Sequence, residues 1–308
     1  MIHISHGHEL GIGLEVFFKS YSLLPDYLKK HFILHIDREN LSTYLSSLNY
    51  QYDIHDNILY ANGMSLNLKL YSLRKNISPT QQSLESCLNS INGSDVLITL
   101  PTSKDQLLYK EKLCKGYTEF FRAYYNIPEI CMTFKAPGET ILLVTDHIPL
   151  SEVSKTINDN IITTKVSLSL NELNKFAQPI EEVLISGLNP HSGENGLLGT
   201  EDKYIEKAIA TLEKTYPAVN FIGPIPGDTM HFHQRKTDSQ LLVYIYHDQG
   251  LAKFKALFQT IGVNQTLGLP FLRLSVDHGT AFDIYGKNIA DSRGCYYLLK
   301  YALKKMAI

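Results

Sequence analysis

Leu242-Val243-Tyr244-Ile245-Tyr246, broken off by His247-Asp248-Gln249-Gly250, is the stretch from which this chain is best read. Five apolar or aromatic residues in succession, β-branched at Val243 and Ile245, suit a strand covered on both faces, and the polar tetrapeptide marks its carboxyl end. The same grammar recurs. Ile141–Thr145 runs into Asp146-His147, Glu182–Ser186 into Gly187-Leu188-Asn189-Pro190-His191, and Leu272–Val276 into Asp277-His278-Gly279-Thr280, while Val96–Leu100 is a further apolar run. Helical patterns lie between. The clearest spans Glu201–Thr215, with Ile205, Ala208, Ile209 and Leu212 as one stripe and Thr200 in the capping position. Another helix is expected from about Leu14, after Gly11-Ile12-Gly13. Strand and helix in alternation predict an α/β fold with a largely parallel sheet. The stretch from 36 to 92 is rich in Leu, Asn, Ser and Tyr. Leu66–Leu73 alternates there like a half-exposed strand, and the whole stretch is expected at the periphery of a first domain.

A chain of 308 residues suffices for two modest domains or one large α/β unit. Its 29 Lys and Arg against 31 Asp and Glu leave no basic excess to neutralise a phosphate backbone, so nucleic acid is not expected as a partner. Cys87, Cys114, Cys131 and Cys295 form no CxxC pair, which suits reduced thiols. The N-terminus lacks the features of a signal peptide, and no apolar run approaches the ~20 residues that span a bilayer. A cytoplasmic enzyme without a membrane partner is expected.

Ligands of open α/β sheets bind beyond the carboxyl ends of the strands. His147, His191, His247 and His278 all fall there. Converging neutral imidazoles suit one divalent cation, although each alone could equally cap or brace a strand end. His231 and His233 form an HxH in a polar loop, His8 sits where an N-terminal loop can line the site, and His31, His35 and His55 have no chemical context. The glycines from Gly187 to Gly199 precede a helix start, so that segment is either an anion cradle or a flexible loop. It is neither a P-loop nor a GxGxxG fingerprint. Lys255 and Arg273 are candidates for anionic groups of a substrate, an internal salt bridge being the alternative for Arg273.

Longer motifs narrow this reading. Asn189–Asp202 (NPHSGENGLLGTED), Gly223-Pro224-Ile225-Pro226-Gly227-Asp228-Thr229, Tyr246–Gly250, Val263–Phe271, Ser275–Ala281, Gly116–Phe120 and Thr145–Leu150 resemble the 4-hydroxythreonine-4-phosphate dehydrogenase family of pyridoxal phosphate biosynthesis. The resemblance implies an isocitrate/isopropylmalate dehydrogenase-like fold, with two α/β/α domains and an active-site cleft between them. The first would comprise 1–125 plus 265–308 and the second 126–264. It also implies a homodimer whose active site is shared between chains. By motif, His147, His191 and His247 would bind one ion, Zn, Mg, Co or Mn. Tyr117, Thr118, Lys255, Asn264 and Arg273 would contact a small phosphorylated hydroxy-amino-acid substrate. His278, Gly279, Thr280, Ala281 and Asn288 would belong to the loop for NAD, with NADP as the alternative. Asp248 and Lys255 are the candidates for proton transfer. The implied reaction oxidises and decarboxylates 4-phosphooxy-L-threonine to 3-amino-2-oxopropyl phosphate. A dehydrogenase of threonate or erythronate 4-phosphate, a non-catalytic binding homologue and a metallohydrolase are the rival readings. Two departures stand out. The family pattern GDPAGIGPE reads Gly7-His8-Glu9-Leu10-Gly11-Ile12-Gly13-Leu14-Glu15, and its GHTEF reads Gly116-Tyr117-Thr118-Glu119-Phe120.

Overall fold

Val96, Leu97, Ile98 and Thr99 are all buried, as a strand must be when helices cover both of its faces. In the computed structural model, which describes residues 1–176 and 179–308, such strands form two units. One comprises Met1–Pro128, Thr260–Val263 and Leu269–Ile308, the other Glu129–Gln259 and Asn264–Gly268.

The first unit opens with β1 (Ile2–Ser5), α1 (Gly13–Ser22), α2 (Asp26–Lys29), β2 (Phe32–Asp37) and α3 (Arg38–Ser47). It continues through β3 (Tyr52–His55), β4 (Ile58–Ala61), β5 (Met64–Tyr71), α4 (Pro79–Leu88) and β6 (Val96–Thr99) to the small pair β7 (Leu108–Tyr109) and β8 (Lys112–Leu113), then α5 (Tyr117–Tyr125). The second unit holds β9 (Cys131–Ala136), β10 (Glu139–Leu143), α6 (Leu150–Thr156), α7 (Asp159–Phe176), β11 (Glu182–Ser186), α8 (Asp202–Thr215), β12 (Asn220–Ile225), β13 (Gln240–Tyr244) and α9 (His247–Phe258). β14 (Val263–Leu267) carries the chain back, and β15 (Leu272–Val276) and α10 (Arg293–Lys305) complete the first unit.

In the first unit the order is β15-β6-β1-β2-β5-β4-β3, parallel as far as β5 and antiparallel over β4 and β3. α1 puts Phe17, Phe18 and Tyr21 into its core, with Phe17 and Tyr21 centred 5.5 Å apart. The 36–92 stretch was expected at the periphery, but β5 lies between β2 and β4, and α4 packs on β1 and β2. Met64, Leu66 and Leu68 turn inward while Ser65 and Lys69 turn out, so the alternation was a true strand signal that did not reveal its neighbours.

In the second unit β12, β11, β13 and β10 are parallel, and β9 pairs antiparallel with β10. Ile205, Ala208, Ile209 and Leu212 of α8 enter one core layer with Ile162, Val166 and Leu170 of α7, whereas Leu251 and Phe254 of α9 belong to the other. Thr200 does not cap α8. Glu201 holds the cap position without a side-chain cap bond, because its carboxylate turns back to the Thr200 amide and to Asn189.

Candidate active site

β11, β13 and β10 are neighbours in parallel register, Leu184 facing Leu242 and Leu242 facing Ile141. Each therefore delivers its following loop to the same edge, and each of these loops carries one of the three expected ligands. Beyond the strands, Val144 and Thr145 still donate to the Tyr244 and Ile245 carbonyls at 2.9 and 3.0 Å, and the Thr145 hydroxyl adds a 2.7 Å bond to Ile245. That zipper brings the His147 and His247 rings to 5.3 Å between centroids. His247 opens α9, and its Nδ1 lies 2.7 Å from Asp248 Oδ1. A carboxylate accepts only, so Nδ1 is the protonated nitrogen and Nε2 keeps the lone pair that a metal needs. Asp248 itself is largely in water.

His191 lies in a turn whose residues His191 to Asn195 all have positive φ, from 43° to 79°. Left-handed backbone costs an L-residue about 1 kcal/mol or more, so such a turn needs outside support. Asp202 supplies it. Its buried carboxylate accepts from the Leu188 amide at 2.8 Å, the Asn189 amide at 3.3 Å and Asn189 Nδ2 at 2.9 Å. Gly199 has φ 143°, and a Cβ there would lie 2.3 Å from Asn189 Nδ2, so only glycine fits. The expected anion cradle is thus filled by the chain's own Asp202. Gln249 ties the loops together, accepting from the Ile245 amide and donating to the Gly187 carbonyl, both at 2.8 Å. Among the described residues no three His, Cys, Asp or Glu side chains gather closely enough to hold an ion. One chain brings two imidazoles together, and His191 does not join them. In the same unit Lys255 lies exposed two turns along α9 from His247, and Asn264 is half-buried in β14.

In the first unit Arg273, the second residue of β15, faces Leu97 of β6 and is 4% exposed. Its Nη2 and Nε donate to Thr99 Oγ1 at 2.6 and 3.1 Å, and its guanidinium carbon stands 5.1 Å over the Tyr117 ring. Burial lowers the Arg273 pKa to about 10, which leaves it cationic at neutral pH. Burial pushes the Tyr117 phenol well above its usual range, and its hydroxyl donates to the Leu100 carbonyl at 3.1 Å. Tyr117 opens α5, with Thr118 half-exposed behind it.

After β15, the segment from His278 meets the loop after β1. The Ile12 amide donates to the Thr280 carbonyl at 3.0 Å, and His8 packs edge-on to Phe282 at 4.8 Å. Lys19 donates to the Asn288 and Ala290 carbonyls at 2.9 and 3.2 Å, while buried Glu15 accepts from the Ala290 amide and from Lys19, both at 2.7 Å. Several buried polar atoms here lack a hydrogen-bond partner: both ring nitrogens of His6, Glu9 Oε2 and His278 Nε2. His278 donates from Nδ1 to the Gly279 carbonyl at 3.0 Å, which leaves Nε2 as an acceptor. Orphaned buried polar atoms mark places where a polar ligand or water completes the structure.

Comparison with known proteins decides the family. The profile described as "Pyridoxal phosphate biosynthetic protein PdxA" matches residues 77–302, well over half of the chain. The chain belongs to the PdxA family. A 4-hydroxythreonine-4-phosphate dehydrogenase of Desulforapulum autotrophicum is 36% identical over 213 residues, covering 69% of this chain and 62% of that protein. A relative from Oceanobacillus iheyensis, provisionally a D-threonate 4-phosphate dehydrogenase, is 34% identical over 209 residues, 68% of this chain and 63% of its own length. The matched stretch thus spans less than two thirds of either relative. A solved 4-hydroxythreonine-4-phosphate dehydrogenase from Klebsiella pneumoniae superposes over 99% of both chains at TM-score 0.80 and 25% identity. An isocitrate dehydrogenase from Methylococcus capsulatus shares the fold at TM-score 0.50 and 12% identity, covering 98% of this chain and 84% of its own.

Within the PdxA family fold, the sequence reading placed His147, His191, His247 and Arg273 at strand ends or on strands, as the structure has them. It missed Glu15, Lys19, Asp202 and Gln249. Asp202 and Gln249 lie inside the motifs Asn189–Asp202 and Tyr246–Gly250 without a role of their own there, and Glu15 and Lys19 form an i,i+4 acid–base pair just inside the helix after Gly11-Ile12-Gly13.

Proposed function

We propose that this protein is an NAD-dependent, metal-assisted dehydrogenase that converts 4-phosphooxy-L-threonine to 3-amino-2-oxopropyl phosphate and carbon dioxide in pyridoxal 5'-phosphate synthesis. The observation that carries the reading is the delivery of three histidines by adjacent parallel strands, with His147 and His247 already converging. Two imidazoles paired in one chain fit a site completed from a second copy in a homodimer; neutral imidazole suits a Zn or Co-type cation, while Mg or Mn would rely on oxygen ligands from substrate and water. Held by His147, His191 and His247, a divalent cation would supply Lewis acidity at the substrate hydroxyl and the carbonyl formed from it. NAD, on the His278–Ala281 and Asn288 segment, would accept the hydride.

The chain's own groups do the rest. Asp248 fixes the His247 tautomer. Arg273, fixed by Thr99 and Tyr117, holds an anionic group of the substrate in place, with Lys255, Asn264 and Thr118 as further contacts. Lys255 or Asp248 moves the proton that the hydroxyl gives up. The test is NADH formation from NAD, with Zn or Mg, on 4-phosphooxy-L-threonine. Turnover with release of carbon dioxide is expected, and phosphate release without NADH would instead place the protein among hydrolases.

A second substrate class has one observation in its favour. Tyr117 stands where the family pattern has histidine, and its hydroxyl is committed to Leu100, so the pocket loses a donor able to carry charge. Threonate 4-phosphate, assayed in parallel, distinguishes a sugar-acid phosphate from the amino acid by its relative kcat/KM.

A further inference from the structure

Glu9 stands where the family pattern has proline, in the loop between β1 and α1. Three contacts lay this loop against the segment from Thr280 to Tyr285. The Ile12 amide bonds to Thr280, a Cβ on Gly11 would touch Thr280 at 3.4 Å, and His8 packs on Phe282. Glu9 also acts on Tyr285, whose phenol is raised first by burial and then by the Glu9 charge. The carboxylate thus faces the segment proposed for the dinucleotide.

Among the described residues nothing bonds to one of its two oxygens. Glu9 Oε2 is buried and accepts no hydrogen bond. Its neighbour is His8 Nδ1 at 3.5 Å, but that nitrogen accepts the Leu10 amide at 3.0 Å and so has no proton to share. His8 therefore carries its proton on Nε2, 3.3 Å from the side-chain amide of Gln106. Turned so that Oε1 faces this nitrogen, the Gln106 amide accepts that proton and its own buried oxygen gains a partner. His6 also lies within reach of the Glu9 charge. Burial lowers its pKa to about 4, so it is neutral at pH 7 and offers no compensating cation. What remains is one buried acceptor oxygen on a side chain that is 26% exposed, a place that a hydroxyl or amide donor of a ligand, or water, completes.

We propose that Glu9 selects the dinucleotide, accepting a ribose hydroxyl of NAD and rejecting the 2'-phosphate of NADP. The inference rests on the dinucleotide reading of the His278–Asn288 segment given above. A carboxylate near the ribose pairs with a diol and repels a phosphate, which favours one cofactor and opposes the other with a single residue. Lys287, exposed on the same segment, is the cation a 2'-phosphate would use if the preference ran the other way.

The experiment is binding rather than turnover. Dissociation constants of NADH and NADPH are read from reduced-nicotinamide fluorescence for the full chain and for Glu9→Gln, Glu9→Lys and Lys287→Ala, with circular dichroism confirming the fold. NADH should bind at least about 30-fold more tightly than NADPH, Glu9→Gln should narrow the ratio to about threefold, Glu9→Lys should reverse it, and Lys287→Ala should leave it in place. Comparable affinities in the unaltered chain, or a ratio that Glu9→Gln leaves intact, would overturn the role of Glu9 while the dinucleotide reading stands. If neither nucleotide binds, both readings are overturned.

Discussion

Replacing Tyr117 with Phe removes one hydroxyl and keeps the ring over Arg273, so it separates two jobs that one side chain could hold. The hydroxyl donates to the Leu100 carbonyl at 3.1 Å inside a site where Tyr117 itself is 9% exposed. Losing that bond should cost about 1–2 kcal/mol, the upper end applying if the carbonyl finds no other donor. For a unit of 150–250 residues this corresponds to a fall of roughly 2–8 °C in the melting temperature. Tyr117→Ala additionally empties the volume of the ring and removes the face beneath the Arg273 guanidinium at 5.1 Å. Its cost should reach about 4–6 kcal/mol. Urea titration followed by circular dichroism gives both values. The decisive comparison is catalytic. If the phenolic proton is committed to Leu100, Tyr117→Phe should keep kcat/KM within about threefold, whereas Tyr117→Ala should lose 100-fold or more as Arg273 loses its orientation. A Tyr117→Phe enzyme crippled tenfold or more, with little change in stability, would refute this reasoning and place the hydroxyl on the substrate.

Asp202→Ala should free the Leu188 and Asn189 amides, cost about 3 kcal/mol by urea titration, and weaken zinc binding measured by equilibrium dialysis, since His191 sits in the turn that Asp202 braces. His147→Ala and His247→Ala should each lower metal content, measured by elemental analysis of dialysed protein, and Asp248→Asn should lower zinc affinity by a smaller factor, roughly tenfold. Alongside His35, which burial lowers to about 3, His6 should shape the acid limb of stability. Its folded pKa of about 4 lies below the unfolded 6.5, so between these values the unfolded chain binds a proton that the folded one refuses. Stability then falls as pH drops from 6.5 to 4, by about 3 kcal/mol from His6 alone, and His6→Leu should shrink that limb in urea titrations across pH while His35 keeps the remainder.

Much of the candidate site was legible because strand and histidine are adjacent in sequence. A strand buried on both faces is a local signal, and the loop after it is by topology at the carboxyl edge, so His147, His191 and His247 could be placed without any knowledge of long-range contacts. What stayed hidden depends on partners distant in the chain. His35 had no chemical context in the sequence, yet β1 and β2 bring its Nε2 to 2.9 Å from His3 Nδ1. Asp202 looked like an ordinary acid in the first turn of a helix, whereas its partners lie 13 and 14 residues earlier. Thr200 had the composition of a cap but lost the position to Glu201, whose carboxylate is engaged with Asn189. Arg273 shows the limit most clearly. An arginine in an apolar strand announces a need for compensation, but an ion pair, a hydroxyl and an aromatic face meet that need equally well on paper. Its partners in the structure include Thr99 and Tyr117, and the second of these is a position where the chain departs from its family. The support of Arg273, the arginine proposed to bind the substrate's anionic group, and the departure in sequence are therefore one feature, and a change of substrate should be sought there first.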